Sequence, residues 1–405
     1  MTDLDLMKTL TQKADTKIIL LVMDGLGGLP REVGGPTELE AADTPNLDRL
    51  AREGMLGLMH PVGIGISPGS GPGHLGLFGY DPLKYLIGRG VLEAVGIGLT
   101  LSDQDVAARG NFCTVDQDGV ITDRRAGRIS TEECARMVGL IEGITLPGVD
   151  LIVKPVRDYR FVLILRGPGL SQSLNETDPQ KTGLRPLTVV SEENSDAARR
   201  TADLVNQWVE IVRERIRDQH PANMVTLRGW STEPGLPSFQ DVFKLNAAAL
   251  AVYPMYKGLA SLVGMTLIQG LTNLEDQLEA LRKVWDAHDF FFVHYKYTDS
   301  RGEDGDFDAK VKEIEKVDAI IPRILEQKPD VLVVTGDHST PAVLKSHSWH
   351  PVPLLFWAPG VTRSNPDVQG FGESQCLRGT LGQFNGKDLM KLITAYGKRQ
   401  AKYGA

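Results

Sequence analysis

The side chains most able to do chemistry sit just past short apolar runs. Asp24 follows Lys17–Met23 (KIILLVM), Asp299 follows Phe290–Tyr297 (FFFVHYKY), and Asp337-His338 follows Val331–Thr335 (VLVVT). Glu303 comes four residues after Asp299, and His347 and His350 lie in SHSWHPVP. Five of the eight histidines fall between His288 and His350, which concentrates imidazole beside the acids. Carboxylates mixed with imidazoles and no thiolate suit Mn²⁺, Zn²⁺ or Fe²⁺. Ser70 lies in Gly69-Ser70-Gly71-Pro72-Gly73-His74-Leu75. Glycines around a serine let the backbone expose the hydroxyl and turn N–H groups toward an anion.

Each feature alone has an ordinary explanation. An Asp after a strand can cap a turn, a Gly-Ser stretch can be a plain connection, and TDSRGEDGDFD can be a solvated acidic loop. Their arrangement says more. Runs that are apolar on both faces read as buried parallel strands. The carboxyl ends of such strands converge at one edge, where open α/β sheets bind ligands. Carboxylates gathered there repel one another unless cations neutralise them. Two metal ions beside a serine form an architecture for phosphoryl transfer.

The remaining elements must position these groups. Val352–Trp357 (VPLLFW) reads as a further buried parallel strand. Thr44–Gly54 reads as a helix, with Thr as N-cap, Pro at the first position and Gly at the end. Phe307–Leu325 is amphipathic. Strands alternating with helices give an α/β layered fold. Residues 105–235 differ: Asn111–Val115 and Val120–Thr122 flank an Asp-Gly turn, and longer helices are expected near Thr131–Gly143 and Glu192–Arg217. This middle reads as an inserted α+β domain, which leaves 1–104 and 236–405 as a discontinuous metal-binding domain.

With 52 acids against 44 bases, the 405-residue chain carries a net charge of -8. A basic nucleic-acid footprint is lacking, so no nucleic-acid partner is expected. An anionic ligand would need a local concentration of cations, because an acidic surface repels it at long range. Three cysteines, odd in number and without CxxC spacing, fit a reducing compartment. The N-terminal stretch has acids and no long apolar core, so no signal peptide is expected. No apolar run approaches the ~20 residues of a membrane span. The expectation is a soluble, cytoplasmic protein, with self-association left open.

Ordered motifs carry a resemblance. MDGLG (23–27), TELEAADTPNLDRLAREG (37–54), GSGPGHLGLFGYDP (69–82) and GRGVLEA (88–94) are followed by DRRAGRI (123–129), TDSRGEDGDF (298–307), GDHSTP (336–341) and HSWHPVP (347–353). Together they span nearly the whole chain. The sequence resembles the cofactor-independent phosphoglycerate mutases of the archaeal type, within the alkaline-phosphatase superfamily. That likeness implies an alkaline-phosphatase-like layered sheet with helices on both faces and an inserted domain that closes over the substrate. It implies interconversion of 3-phosphoglycerate and 2-phosphoglycerate through a phosphoserine, with two divalent metal ions, Mn²⁺ first and Zn²⁺, Co²⁺ or Mg²⁺ as alternatives.

Residue by residue, Ser70 matches the nucleophile. Asp24, Asp337 and His338 match ligands of the metal that also touches Ser70, while Asp299, Glu303 and His347 match the second site. Position 303 departs from the pattern, since many relatives have histidine where this chain has Glu; Asp304 is a substitute ligand to weigh. Arg124, Arg125, Arg128 and Arg228 match substrate binding, because guanidinium forks suit carboxylate and phosphate. Lys257, in MYKGLA, matches a group that holds the moving phosphoryl, and Asp123 an acid/base for the glycerate hydroxyls. A homoserine-kinase-like phosphotransferase, a phosphopentomutase or a metal-dependent phosphatase would share the metal ligands.

Overall fold

The three apolar runs that precede Asp24, Asp299 and Asp337 are strands in a computed structural model that describes residues 3–404, each buried along its length. In chain order the strands begin with β1 (Ile18–Met23), β2 (Met55–His60), β3 (Asp105–Val115), β4 (Ile121–Asp123) and β5 (Asp150–Arg157). There follow β6 (Arg160–Arg166), β7 (Met224–Ser231), β8 (Ala247–Leu250) and β9 (Thr266–Leu267). The last are β10 (Phe290–Tyr295), β11 (Val331–Thr335), β12 (Val352–Trp357) and β13 (Gly382–Asn385). The described residues form two compact units, one running up to Leu86 and resuming at Leu236, the other Ile87–Gly235.

The first unit is built on an eight-stranded sheet in the order β13-β2-β12-β11-β1-β10-β8-β9. Its centre is parallel: Ile18 of β1 pairs with Phe290 of β10 on one side and Val331 of β11 on the other. The same register sets Met23 beside Tyr295 and Val22 beside Thr335, so the three strands end level. Side chains on both faces of β1 and β10 are buried, as expected where helices cover both sides of an α/β sheet.

One strand runs against expectation. Val352–Trp357 is buried but antiparallel to both β11 and β2. A parallel neighbour needs a crossover of a dozen or more residues, usually a helix, and the segment between β11 and β12 forms none. The chain therefore turns back at the edge where β11 ends. His347, five residues before Val352, is delivered to that same edge by this reversal.

The second unit begins at Ile87, earlier than the boundary at 105 read from the hairpin and helix pattern. Helix Arg89–Gly96 packs on β3 and β7, which draws residues 87–104 into this unit and ends the first stretch of the other at Leu86. Its sheet runs β4-β3-β6-β5 with β7 also on β3, and every pairing is antiparallel. Helices Thr131–Ile141 and Asp196–Ile216 cover one face, where Val106, Ala108, Phe112, Phe161 and Trp208 share one core. Alternation along β3 sends Arg109 and Asn111 to the opposite face.

Among the described residues no helix is long and apolar enough to cross a membrane. The centre of the first unit depends on β10: Phe292 is fully buried, with its ring 5.6 Å from His74 and 5.0 Å from Phe78. Phe292→Ala should cost about 3–5 kcal/mol, read as a lower urea midpoint by circular dichroism; an unchanged midpoint would contradict this packing.

Candidate active site

Asp24 begins the turn after β1, with its N–H bonded to Tyr295 O at 2.9 Å. The next residue has φ +66, and a Cβ there would lie 2.5 Å from Thr340 Oγ1 and 2.8 Å from Asp299 Oδ1. Only glycine lets this turn sit so close to the loops after β10 and β11. Thr340 N–H donates to Gly27 O at 3.0 Å and stitches the turn to the loop that carries Asp337 and His338.

Asp299 and Glu303 lie one turn apart in helix Tyr297–Asp304, so both project from one face, where a loop was the simpler reading. Asp304 and Glu303 are both exposed, and Asp304 pairs with Arg301 at 3.4 Å. Glu303 Oε1 lies 3.8 Å from His347 Nε2, which favours Glu303 over Asp304 as a ligand.

Ser70 opens helix Ser70–Leu77, and its Oγ lies 3.3 Å from His338 Nε2. A Cβ at Gly73 would meet the Asp337 carbonyl oxygen at 2.2 Å, so the glycines allow this helix to lie directly on the Asp337 loop. His74 locks the arrangement from below, its Nδ1 2.8 Å from Ser70 O and 3.2 Å from Asp337 Oδ2.

Two groups of side chains could each hold a cation: Asp24, Asp337 and His338, and Asp299, His338 and His347. Within each group the ligand atoms lie within 4.8 Å of one another. Hydrogen bonding assigns His338 to the first. Thr340 Oγ1 donates to Asp299 Oδ1 at 2.6 Å, so it accepts from His338 Nδ1 at 2.9 Å. That leaves His338 Nε2 facing Asp24 Oδ1 and Asp337 Oδ2, each at 3.2 Å. His347 Nδ1 bonds Pro68 O at 2.9 Å, which turns its Nε2 toward Asp299 at 3.6 Å. Tying down one ring nitrogen fixes the tautomer of the other, as metal-ligating histidines require.

The charges show that something is needed there. Asp24, Asp299 and Asp337 are buried. Although His74, His294, His338 and Lys296 lie 3.2 to 3.3 Å from Asp24 or Asp337, no well-formed hydrogen bond reaches either Asp24 oxygen or Asp337 Oδ2. Clustered buried carboxylates whose oxygens lack well-formed hydrogen bonds are costly unless a cation takes them, so this donor set fits divalent ions. Lys296 supplies part of the charge, with Nζ 3.3 Å from Asp24 Oδ2 and 2.5 Å from Asp299 Oδ2. Burial works against ionised Asp24, but Lys296, His294 and His338 hold its carboxyl well below the usual range. Burial likewise disfavours charged His338, yet Asp337, Asp24 and Asp299 together raise it to about 9.

Sequence reasoning missed Lys296, Thr340, His74 and His294. Lys296 stands three residues before Asp299, and Thr340 lies inside GDHSTP, but neither residue type signals a ligand by itself. His294 pairs with Asp24 at 3.2 Å and stacks on Tyr256 with ring centroids 3.7 Å apart. Lys257, beside Tyr256, is half-buried and its ammonium has no hydrogen bond or ion pair among the described residues.

The residues expected in the second unit fare differently. Asp123 accepts N–H bonds from Arg125 at 2.8 Å and Gly127 at 2.7 Å, so both its oxygens build a turn. Arg124 is held in a two-pronged pair with Asp178, at 3.0 and 2.7 Å. Arg125 and Arg128 are exposed. Arg228 pairs with Arg109 in register across β3 and β7 and bonds Glu176 at 3.1 Å.

The fold and this edge together are those of an alkaline-phosphatase-like enzyme. The family profile for 2,3-bisphosphoglycerate-independent phosphoglycerate mutase matches residues 51–223. A Thermus thermophilus protein named "Probable 2,3-bisphosphoglycerate-independent phosphoglycerate mutase" is 51% identical over 98% of both chains. An Aquifex aeolicus protein of the same name is 48% identical over 99% of this chain and 100% of its own. A solved Pyrococcus horikoshii protein is 31% identical with a TM-score of 0.82, covering 97% of this chain and 100% of its own. The cofactor-independent phosphoglycerate mutase of Thermoplasma acidophilum is 29% identical with a TM-score of 0.70, over 94% and 100%. The chain belongs to the 2,3-bisphosphoglycerate-independent phosphoglycerate mutases.

A pH dependence follows from His338. Held up to about 9, it is protonated at neutral pH in the metal-free protein and must lose that proton to ligate. Mn²⁺ affinity should therefore rise about tenfold per pH unit up to about 9. Calorimetric titration between pH 6.5 and 8.5 checks it, and a flat profile would refute the charge assignment.

Proposed function

We propose that this chain interconverts 3-phosphoglycerate and 2-phosphoglycerate through a phosphoserine at Ser70, without 2,3-bisphosphoglycerate, as a step of glycolysis and gluconeogenesis. The observation that carries the reading is the Ser70 hydroxyl 3.3 Å from His338 Nε2, at the rim of the buried acids. Asp24, Asp337, His338 and Ser70 would hold one divalent ion, and Asp299, Glu303 and His347 a second. Mn²⁺ is the ion we assign, with Co²⁺, Zn²⁺ and Mg²⁺ as alternatives. Bound there, divalent cations supply positive charge for phosphoryl oxygens and ease deprotonation of a serine hydroxyl.

Ser70 Oγ gives up its proton and attacks phosphorus in line, the bond from phosphorus to the glycerate oxygen breaks, and that oxygen takes up one proton, so the step is neutral in protons. The phosphoryl group then sits at the first turn of helix Ser70–Leu77, whose N-terminus favours negative charge. Lys257, with a free ammonium, suits the equatorial oxygens. Glycerate re-orients, its other hydroxyl attacks the phosphoserine, and Ser70 regains its proton. Water must stay out meanwhile, because hydrolysis of the phosphoserine would make a phosphatase.

The second unit, taken by itself, offers an arginine-rich face suited to a carboxylate or phosphate. Arg109 on β3, Arg228 on β7 and Arg160 on β6 share that face by register, and helix Arg89–Gly96 packs on it, adding Arg89 and Glu93. Arg109 Nε and Asn111 Oδ1 are buried there without a partner. Burial and Arg89 lower Arg109 to about 10, which leaves it charged at neutral pH. Arg109 has Glu93 at 3.9 Å but keeps its Nε donor unmet, so it has more left for an anion than Arg124, held in a two-pronged pair with Asp178. Arg125 and Arg128, exposed on the neighbouring turn, remain available for the substrate's charges. The three cysteines are free and buried, as a reducing compartment leaves them, and we assign the chain to the cytoplasm.

Purified protein with Mn²⁺ and 3-phosphoglycerate should yield 2-phosphoglycerate, read by coupling to enolase with no bisphosphoglycerate present. Silence with Mn²⁺, Co²⁺, Zn²⁺ and Mg²⁺, or release of inorganic phosphate in place of product, would sink the mutase reading. Ser70→Ala should lower turnover by at least about a thousandfold while the circular dichroism spectrum stays unchanged. Arg109→Met should raise KM for phosphoglycerate by about tenfold or more; an unchanged KM would remove Arg109 from the substrate's contacts.

A further inference from the structure

Beneath the site lies a lysine that the proposed mechanism leaves idle. Lys310 belongs to the first turn of helix Phe307–Leu325 and is fully buried. Its ammonium donates to three backbone carbonyls: Gly25 O at 2.9 Å, Gly27 O at 3.0 Å and Thr340 O at 2.8 Å. Two of those carbonyls belong to the turn that begins at Asp24. The third belongs to the loop that begins at Asp337 and His338.

The two loops come from different strands and meet through short bridges, Leu26 and Gly27 against Ser339. Thr340 N–H reaches the Gly25 and Gly27 carbonyls from one side, and the ammonium reaches the same pair from another. A lysine has three N–H donors and no acceptor, so three carbonyls saturate it.

Glu38 completes the clamp with the opposite polarity. Its Oε2 accepts Leu29 N–H at 3.0 Å and its Oε1 accepts Ala342 N–H at 2.7 Å, again one bond to each loop. Glu38 too is fully buried. One side chain gathers carbonyls and the other gathers amides, and both span the junction between the loops.

We infer that Lys310 is a positioning residue, with Glu38 as its counterpart, which sets the spacing of Asp24 against Asp337 and His338 before a cation arrives. Neither side chain touches the ligand atoms. Their action passes through the backbone that carries them. Asp24 and Asp337 repel each other, so without a fixed backbone the two loops would relax apart, and a binding ion would have to draw them together. Loss of partners that orient metal ligands typically costs about 10–100-fold in metal affinity.

Lys310→Met, which keeps length and burial but removes the donors, tests this. Mn²⁺ alone is titrated into the full-length protein by calorimetry, and Tm is followed with and without the ion. Lys312→Met, exposed on the same helix, is the control. The expected result is a Kd for Mn²⁺ raised about tenfold or more, a smaller Tm gain on adding Mn²⁺, and activity that recovers at high Mn²⁺ with kcat near that of the unaltered protein. A folded Lys310→Met with an unaltered Kd and an unaltered Tm gain would overturn the inference, whatever its Tm without metal. Should Lys310→Met not fold, Glu38→Gln carries the test. It keeps size and one acceptor oxygen, and an unaltered Kd there would be equally fatal. The inference rests on reading these clusters as metal sites. Unaltered protein that bound no Mn²⁺ would overturn that reading itself, whereas binding insensitive to both variants overturns only the clamp.

Discussion

Buried negative charge at one sheet edge is the constraint on which the rest depends. Asp24, Asp299 and Asp337 lie at the ends of three adjacent strands and are shielded from solvent. Two like charges about 4 Å apart repel by about 4 kcal/mol even at an effective dielectric of 20. A fold that stability alone had shaped would not assemble such a group. Lys296 and protonated His338 offset part of it in the metal-free protein, by contacts of 2.5 to 3.3 Å. Well-formed hydrogen bonds are still missing at three carboxylate oxygens of Asp24 and Asp337. The edge is built for more positive charge than the chain provides.

That requirement accounts for details that look unrelated. The antiparallel return of β12 brings His347 to the edge, where a parallel strand would have sent it to the far end. The glycines at 25 and 73 let a turn and a helix approach to distances that any Cβ would forbid. Thr340 bonds Asp299 and His338 at once and thereby turns His338 Nε2 toward the first group. Lys310 and Glu38 hold the loops from beneath.

Much of this was legible in the sequence. Apolar runs ending in Asp24, Asp299 and Asp337-His338 were long enough and apolar enough to be read as strands, and parallel ends converge without further information. The helix Phe307–Leu325 and the β3–β4 hairpin follow from periodicity and glycine placement, whereas the glycine-rich serine stretch reads as a turn and is instead the start of helix Ser70–Leu77. Strand direction is another matter: VPLLFW is buried on both faces in either orientation, and only the lack of a crossover helix decides it. The helix carrying Asp299 and Glu303 is short and rich in Gly and Asp, so its periodicity is weak. Lysines 296 and 310 are residues normally found on surfaces, and nothing local marks them as buried. Arg124 stands in a conspicuous triplet yet is consumed by Asp178, fifty-four positions away. Arg109 sits unremarkably in a strand, and only cross-strand register with Arg228 shows its value. Pairings between distant positions are what a single sequence withholds.

The central claim is that this edge is a cage for two divalent cations. The most direct measurement is a crystal grown with Mn²⁺ and read by anomalous scattering at the manganese edge. Two peaks are predicted, one bounded by Asp24, Asp337, His338 and Ser70, the other by Asp299, Glu303 and His347. An ordered edge with Lys296 still bridging Asp24 and Asp299 and no peak at either position would contradict the account.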